Sequence, residues 1–363
     1  MAFIKKIVEG EQRYIGLCGL KIPYDSEDEG FKRIFHIGPL TLSCFEIDPM
    51  KEKLCLRLFG KLIPLKHSPV PERYKHYLQR DTLTDERRKE IMVETLTTDL
   101  GYVPDLDDPK TFNEKIGWTK LHVHDPLITT CCDKYAVKAY AAPIIGEEHV
   151  LPVIGAWENA DDIDFDKLPN SFALKVNWSS GFNIIVKDKS KLDTEKARRT
   201  VRQWMRPEQN SYYSLFNWGY KNMKPMAFAE PYIEQIDGQV YDYKFYFTNG
   251  EFIYMFIATD RHGDEPMTFT FFDKNLQFMP FTKSRNPNGD PLPSMPRHLD
   301  EMLEMAKKLA KPFPFVRVDF YEVGDAVYLG EMTFYSGGGR GPFDPPEWDR
   351  KLGDLIDLSK VKA

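Results

Sequence analysis

Apolar and polar positions alternate through much of this chain, and helical periodicity is confined to stretches between the alternating runs. Residues 1–66 read as β-rich. Two segments there resemble each other, 14–23 and 56–64. Each is a short apolar run with an internal glycine that ends at proline, the pattern of a hairpin, with docking to a partner or a sugar polymer as the functional alternative. The Pro-containing stretch 67–71 reads as a linker, and residues 72–78 and 84–97 as helices, the second opened by Thr84 with acids in its first turn. Thr111 and Glu114 have capping-box spacing and open a helix that runs to about residue 121. A further helix is expected over 133–141, stopping before Pro143. Strands are expected over 150–157, 171–177, 184–187 and 227–234, with a helix over 193–205. Asn249-Gly250 joins strands 241–248 and 251–259 in a hairpin. The apolar positions 299, 302, 303, 306, 309 and 310 follow a 3.6-residue period and predict an amphipathic helix. Strands over 315–322 and 326–334 complete an α+β chain with antiparallel sheet.

Length adds room for two or three packed lobes: 363 residues, 42% hydrophobic and 29% charged, is an ordinary globular composition. A net charge of −6 with scattered basic residues excludes the basic stripe that nucleic-acid binding needs. No apolar window approaches the roughly 18 residues of a membrane span, and no signal-peptide core follows Lys5 and Lys6. The five cysteines form no C-x-x-C pair, which fits reduced thiols and a cytoplasmic setting.

The chemistry gathers in a few stretches. In 313–321, Arg317 and Asp319 share one face and Val316, Val318 and Phe320 the other. In the next strand Glu331 and Thr333 are expected on a face with Val327 and Leu329. A three-residue turn, 323–325, would set Arg317 opposite Glu331 with Asp319 one diagonal step away; a two-residue turn would slip the register and part them. Two carboxylates beside a guanidinium read either as a structural ion network or as a Mg²⁺ site with Arg317 placed for phosphoryl charge. In 172–186, Lys175 and Asn177 share a face, and a polar loop, 179–183, with Ser179, Ser180 and Gly181, has the composition to fold backbone N–H groups over phosphates. No G-x-x-x-x-G-K-[ST] or G-x-G-x-x-G motif occurs. Lys134 and Lys138 lie four apart on one helix face, where a solvated face is the plain reading. Asp242 and Lys244 share a strand face, and Arg261 follows the partner strand; surface pairs and a shared cleft are both compatible. Glycines at 337–339 and 341 surround Arg340, whose guanidinium suits a carboxylate.

In order along residues 106–350, the segments 111–118, 133–135, 174–176, 242–245, 316–321 and 329–335 resemble the ATP-grasp superfamily, closest to its TupA-like branch, which is associated with bacterial surface-polysaccharide and teichuronopeptide synthesis. The resemblance implies an ATP-grasp fold whose two lobes, built on antiparallel sheets, hold ATP between them. It divides the chain into a β-rich region 1–66 outside the likeness, a helical linker 67–105, a catalytic domain 106–350 and a tail 351–363. Lys134 and Lys175 match the phosphate lysines, and 179–183 the mobile loop. Glu230, Pro231, Tyr232 and Ile233 match the adenine hinge, while Glu234 or Asp242 matches the ribose ligand, with Lys244 and Arg261 alongside. Asp319 and Glu331 match the Mg²⁺ ligands; Thr333 stands where Asn is frequent, which implies contact through water. Arg317 matches the charge-steadying group, with Arg340 expected near the acid. The implied activity is an ATP- and Mg²⁺-dependent carboxylate-amine ligase acting through an acyl phosphate, with small-molecule or nucleotide-sugar acids and amines as substrates and peripheral association with glycan-synthesis machinery. A glycosyltransferase is one rival, since Asp105 and Asp107 have D-x-D spacing, though in a Pro- and Asp-rich loop. A sugar kinase using the same ATP site is another.

Overall fold

The computed structural model describes the backbone of eight strands between residues 4 and 69, and residues 72–361 apart from 179, 234–240 and 260–266. In the first region β1 (Ile4–Glu9), β2 (Gln12–Leu17) and β3 (Leu20–Pro23) form one antiparallel sheet. A second follows in chain order: β4 (Asp25–Glu29), β5 (Lys32–Ile37), β6 (Leu40–Asp48), β7 (Lys53–Leu58) and β8 (Lys61–Pro69). The two similar segments each span the two arms of a hairpin: β2 returns as β3 with Leu17 opposite Leu20, and β7 as β8 with Leu58 opposite Lys61.

Helices begin at α1 (Glu72–Leu78) and α2 (Asp85–Leu100), the latter capped by the Thr84 hydroxyl and closed by left-handed Gly101. α3 (Phe112–His122) carries both bonds of the expected capping box. α4 (Pro126–Cys132) was not foreseen; Asp125 caps it and Pro126 occupies the first turn, where a missing N–H costs nothing. α5 (Ala136–Ile145) differs from expectation at both ends. Asp133 stays ahead of the helix and accepts from the N–H of Tyr135 and of Ala136, the first helical residue, and the helix carries Pro143 in its last turn before its cap at Gly146.

Two antiparallel sheets then form the body. The smaller runs β11-β10-β12-β9, from β9 (Gly155–Trp157), β10 (Phe172–Val176), β11 (Asn183–Val186) and β12 (Ala227–Pro231). Between β11 and β12 lie α6 (Thr194–Trp204) and the short α7 (Tyr212–Leu215). The larger sheet uses β13 (Asp242–Thr248), β14 (Glu251–Thr259), β15 (Thr268–Asp273) and β16 (Phe278–Met279), then β18 (Phe315–Val323) and β19 (Ala326–Thr333), in the order β16-β15-β14-β13-β18-β19. Asn249 and Gly250 both take positive φ, the type I′ geometry that the Asn-Gly pair favours. β17 (Thr282–Lys283) pairs with β20 (Phe343–Asp344) ahead of the last helix, α9 (Glu347–Asp354).

α8 (Leu299–Ala310) follows its expected period and buries Met302, Ala306 and Leu309 in one core with Phe245, Val316, Val318 and Met332 of the larger sheet. Each of these side chains larger than alanine contributes about 1.5–3 kcal/mol of burial. No helix among the described residues is long and apolar enough to cross a membrane.

Candidate active site

The first wall is the smaller sheet. Alternation turns Phe172, Leu174 and Val176 into the core and leaves Lys175 partly open. Lys175 pairs with Asn183 across the β10–β11 hairpin, so the loop after β10 returns beside it. Ser180 and Gly181 are exposed at its tip, and Gly181 takes φ +79° with nothing within 4 Å of a Cβ built there. Phe182 anchors the loop by stacking on Trp204 of α6, 5.2 Å between centroids and 3° from parallel. On β12, Glu230 is 3% exposed and joins two ammonium groups, Lys175 and Lys138. Burial opposes its ionisation, but the two lysines outweigh it and hold the carboxyl below its usual range.

The second wall is the larger sheet. Lys244 and Tyr246 on β13 stand opposite Asp319 and Arg317 on β18. Arg317 donates Nε to Asp319 Oδ1 (2.6 Å) and Nη2 to Asp319 Oδ2 (2.6 Å), Glu331 Oε1 (2.8 Å) and Thr333 Oγ1 (3.0 Å). Lys244 pairs with Asp319 and lies 3.1 Å from Asp242 Oδ2. Lys134 Nζ reaches within 3.6 Å of Glu331 Oε2. Burial works against the Arg317 charge, yet Asp319 and Glu331 raise its pKa well above the ordinary value.

The register corrects the sequence expectation. The turn has two residues, with Val323 opposite Ala326, which alone would part the charged groups. A bulge restores them: Phe320 pairs with Leu329 but Asp319 pairs with Glu331, and Gly330 is the extra residue. Asp319 therefore faces Glu331 and Arg317 faces Thr333, and the bulge moves Glu331 and Thr333 off the face that buries Val327 and Leu329. A Cβ on Gly330 would stand 2.8 Å from the Tyr321 ring, so the bulge has little room for another residue type.

Between the walls lies a cavity of about 860 Å³. It is lined by Lys134, Lys175, Ser180, Gly181, Glu230, Pro231, Tyr232, Ile233, Lys244 and Glu331, all singled out from the sequence. Sequence reasoning passed over Lys187, Lys191 and Tyr321 in the same lining; Lys187 sits 5.4 Å over the Tyr232 ring. It also left Lys138 on a solvated face shared with Lys134, whereas Lys138 pairs with Glu230 and Lys134 lies in the turn ahead of α5, off that helix face. Asp242 is wholly buried beneath Lys244 rather than open to the cavity. Arg340 donates to Asp99 Oδ2 of α2 (2.5 Å), away from the carboxylate pair. Ser179, Glu234 and Arg261 lie outside the described residues.

Among the described residues no group of three or more His, Cys, Asp or Glu is placed to hold a metal. Asp319 and Glu331 alone suit Mg²⁺, which takes one or two carboxylates and completes its shell with phosphate oxygens and water. The fit shows in Arg317: both carboxylates already converge on one cationic nitrogen, Nη2, with the Thr333 hydroxyl beside it.

A family model described as TupA-like ATPgrasp matches residues 114–357. The chain belongs to that family. The matched span opens in α3 and closes beyond α9, so the ATPgrasp region holds both walls of the cavity. Among solved structures, a D-alanine–D-alanine ligase from Bacillus anthracis is 17% identical, with 62% of this chain and 66% of that chain covered at a TM-score of 0.35. A D-alanine–D-alanine ligase from Helicobacter pylori is 20% identical, with 64% and 61% covered at 0.34. A D-cycloserine synthetase is 15% identical, with 64% and 72% covered at 0.32. The chain thus spans just under two thirds of the length of these two D-alanine–D-alanine ligases. No curated protein sequence matches it.

Proposed function

We propose that this ATPgrasp protein joins a carboxylate to an amine with ATP and Mg²⁺. The observation that carries the reading is the convergence of Arg317, Asp319 and Glu331 on one wall, where Glu331 lines the nucleotide-sized cavity with Lys134, Lys175 and Lys244, with Asp319 buried and Arg317 partly buried behind that lining. Lys134, Lys138 and Lys175 offset phosphate charge, and the loop with Ser180 and Gly181 covers the phosphates with backbone N–H groups. Glu230 to Ile233 meet adenine. Asp319 and Glu331 would hold Mg²⁺, with Thr333 beside them; when bound, it neutralises phosphate charge. The substrate carboxylate oxygen attacks the γ-phosphorus and ADP leaves. Arg317 steadies the charge on the resulting acyl phosphate. The amine nitrogen then attacks the acyl carbon, losing a proton, and phosphate departs. The protein's part is positioning and electrostatics, with no general base required of it. The cellular role that fits is surface-polysaccharide synthesis, with an amino acid or amine joined to a uronic or related acid.

Little favours the glycosyltransferase reading: Asp105 accepts the backbone N–H of Asp107 (2.9 Å) and Asp108 (3.0 Å) and so serves a turn, and Asp107 pairs with Lys89 of α2. A screen for ADP and phosphate release across amino acids and UDP-uronic acids, with and without Mg²⁺, tests the reading. Release that requires both an acid and an amine supports the ligase. ADP with a phosphorylated sugar and no free phosphate would replace it with a kinase. Asp319→Asn should lower the rate by at least about a hundredfold, in keeping with loss of a group that acts on transition-state charge.

A further inference from the structure

Lys138 stands behind the cavity wall. Glu230 and Lys175 line the cavity, and Lys138 does not. It belongs to the first turn of α5, and its Nζ donates to the Leu151 carbonyl (2.8 Å) as well as pairing with Glu230. The two lysines divide the carboxylate between them: Lys138 takes Oε1 and Lys175 takes Oε2. Lys175 is the more open of the pair, its side chain 24% exposed against 14% for Lys138. Lys175 also stands opposite Asn183, so the loop with Ser180 and Gly181 returns beside it.

This division gives the two cations different freedom. A lysine that is to offset phosphate charge must loosen its hold on Glu230. That residue is 3% exposed, and a buried carboxylate left without a counter-ion is strongly disfavoured. Were Lys175 its sole counter-ion, each turn toward a phosphate would strand the carboxylate, and the loss there would offset the gain at the phosphate. With Lys138 held on Oε1 by the Leu151 carbonyl, Glu230 stays compensated while Lys175 turns. Two positive charges against one negative leave the trio a surplus positive charge, and only Lys175 of the two lysines presents it to the cavity. A plain tie between α5 and β12 would need no second lysine on Glu230.

We propose that Lys138 is a positioning residue: it keeps Glu230 compensated from behind the cavity wall and so frees Lys175 for the phosphates of the nucleotide. Lys138 thereby adds its charge to the site at one remove, without touching the ligand. The assignment rests on the ATP reading above.

The test is calorimetric titration of the full chain with Mg²⁺ and a non-hydrolysable ATP analogue. Lys138→Met should weaken binding of the analogue by at least about tenfold, the scale of a hydrogen bond to a charged group, although the residue is outside the cavity lining. Lys138→Gln keeps a donor for Glu230 and the Leu151 carbonyl and removes only the charge. It should fold even where Lys138→Met does not, and should show the same loss. In a Glu230→Gln background no carboxylate holds Lys175, so Lys138→Met should change the affinity there by less than about twofold, the scatter of such cycles. A packing role, or a direct field of Lys138 on the phosphates, would carry the loss into that background undiminished. That result, or wild-type affinity in Lys138→Gln, overturns the assignment. Failure of the analogue to bind the wild type would instead strike the ATP reading itself.

Discussion

Glu230 sits between Lys175 and Lys138, and its removal would leave two cations facing each other across a nearly buried gap. Glu230→Gln should lower stability by roughly 2–3 kcal/mol, below the cost at a wholly enclosed pair because both lysines reach solvent. The sign with pH follows from the depressed carboxyl. Its contribution is present above the ordinary value of 4.5 and is lost as pH falls through the lower folded value. Denaturant midpoints of wild type and variant should therefore differ at neutral pH and draw together below about pH 4. Lys175 and Asp319 were legible because each is a charged residue on the polar side of an otherwise apolar strand, whereas strict alternation set Glu331 on the face of Val327 and Leu329 and only the bulge turns it away. Lys138 was not legible, since a lysine on a short helix has the same pattern whether it meets solvent or a carboxylate on β12. Asp242 shows the reverse: its strand position was clear, but only the pairing with Lys244 reveals that it is covered.

The hairpin of β18 and β19 joins Arg317 and Asp319 to Glu331 and Thr333 by means of Gly330. Gly330→Val would drive its Cβ to within 2.8 Å of the Tyr321 ring and 3.3 Å of the Asp319 carbonyl oxygen. A loss of about 1–3 kcal/mol in denaturant unfolding is expected, together with loss of ATP-dependent turnover, because Tyr321 and Glu331 both line the cavity. Strand alternation revealed which residues were at stake but not how they met. Period-2 reasoning carries a strand through unbroken, and one inserted glycine reverses every face beyond it. The same limit explains why β15, β17 and β20 went unforeseen: two- and six-residue strands that pair across loops leave too short a pattern. Helices fared better where a cap marked the start, as at Thr84 and Thr111. Pro143 misled because α5 runs two residues beyond it despite losing the N–H bond to the Ala139 carbonyl.

The whole molecule brings the larger sheet against the smaller one through Lys134. Its backbone N–H binds the Asn177 carbonyl (3.0 Å) next to β10, and its ammonium faces Glu331 on β19. The Asn177 side chain ties Asp133 (2.7 Å), the Lys224 carbonyl (2.9 Å) and the Met226 N–H (2.9 Å). Asn177→Ala should leave these groups unsatisfied and cost about 2–3 kcal/mol in thermal or denaturant unfolding. A Mg²⁺–ATP analogue at about 100 times its Kd should stabilise the wild type by about 2.7 kcal/mol, read as a rise in melting temperature that Asp319→Asn abolishes. The two-wall arrangement was legible from the order of the motifs, whereas the β-rich region ahead of residue 70 shares no sheet with either wall and stays functionally silent in the sequence. Among the described strands, none belongs to both walls of the cavity. A nucleotide entering between them therefore meets no shared ladder of inter-strand bonds, and in the lining it meets side-chain ion pairs such as Lys134 with Glu331, whose cation the guest's own negative charge can take over.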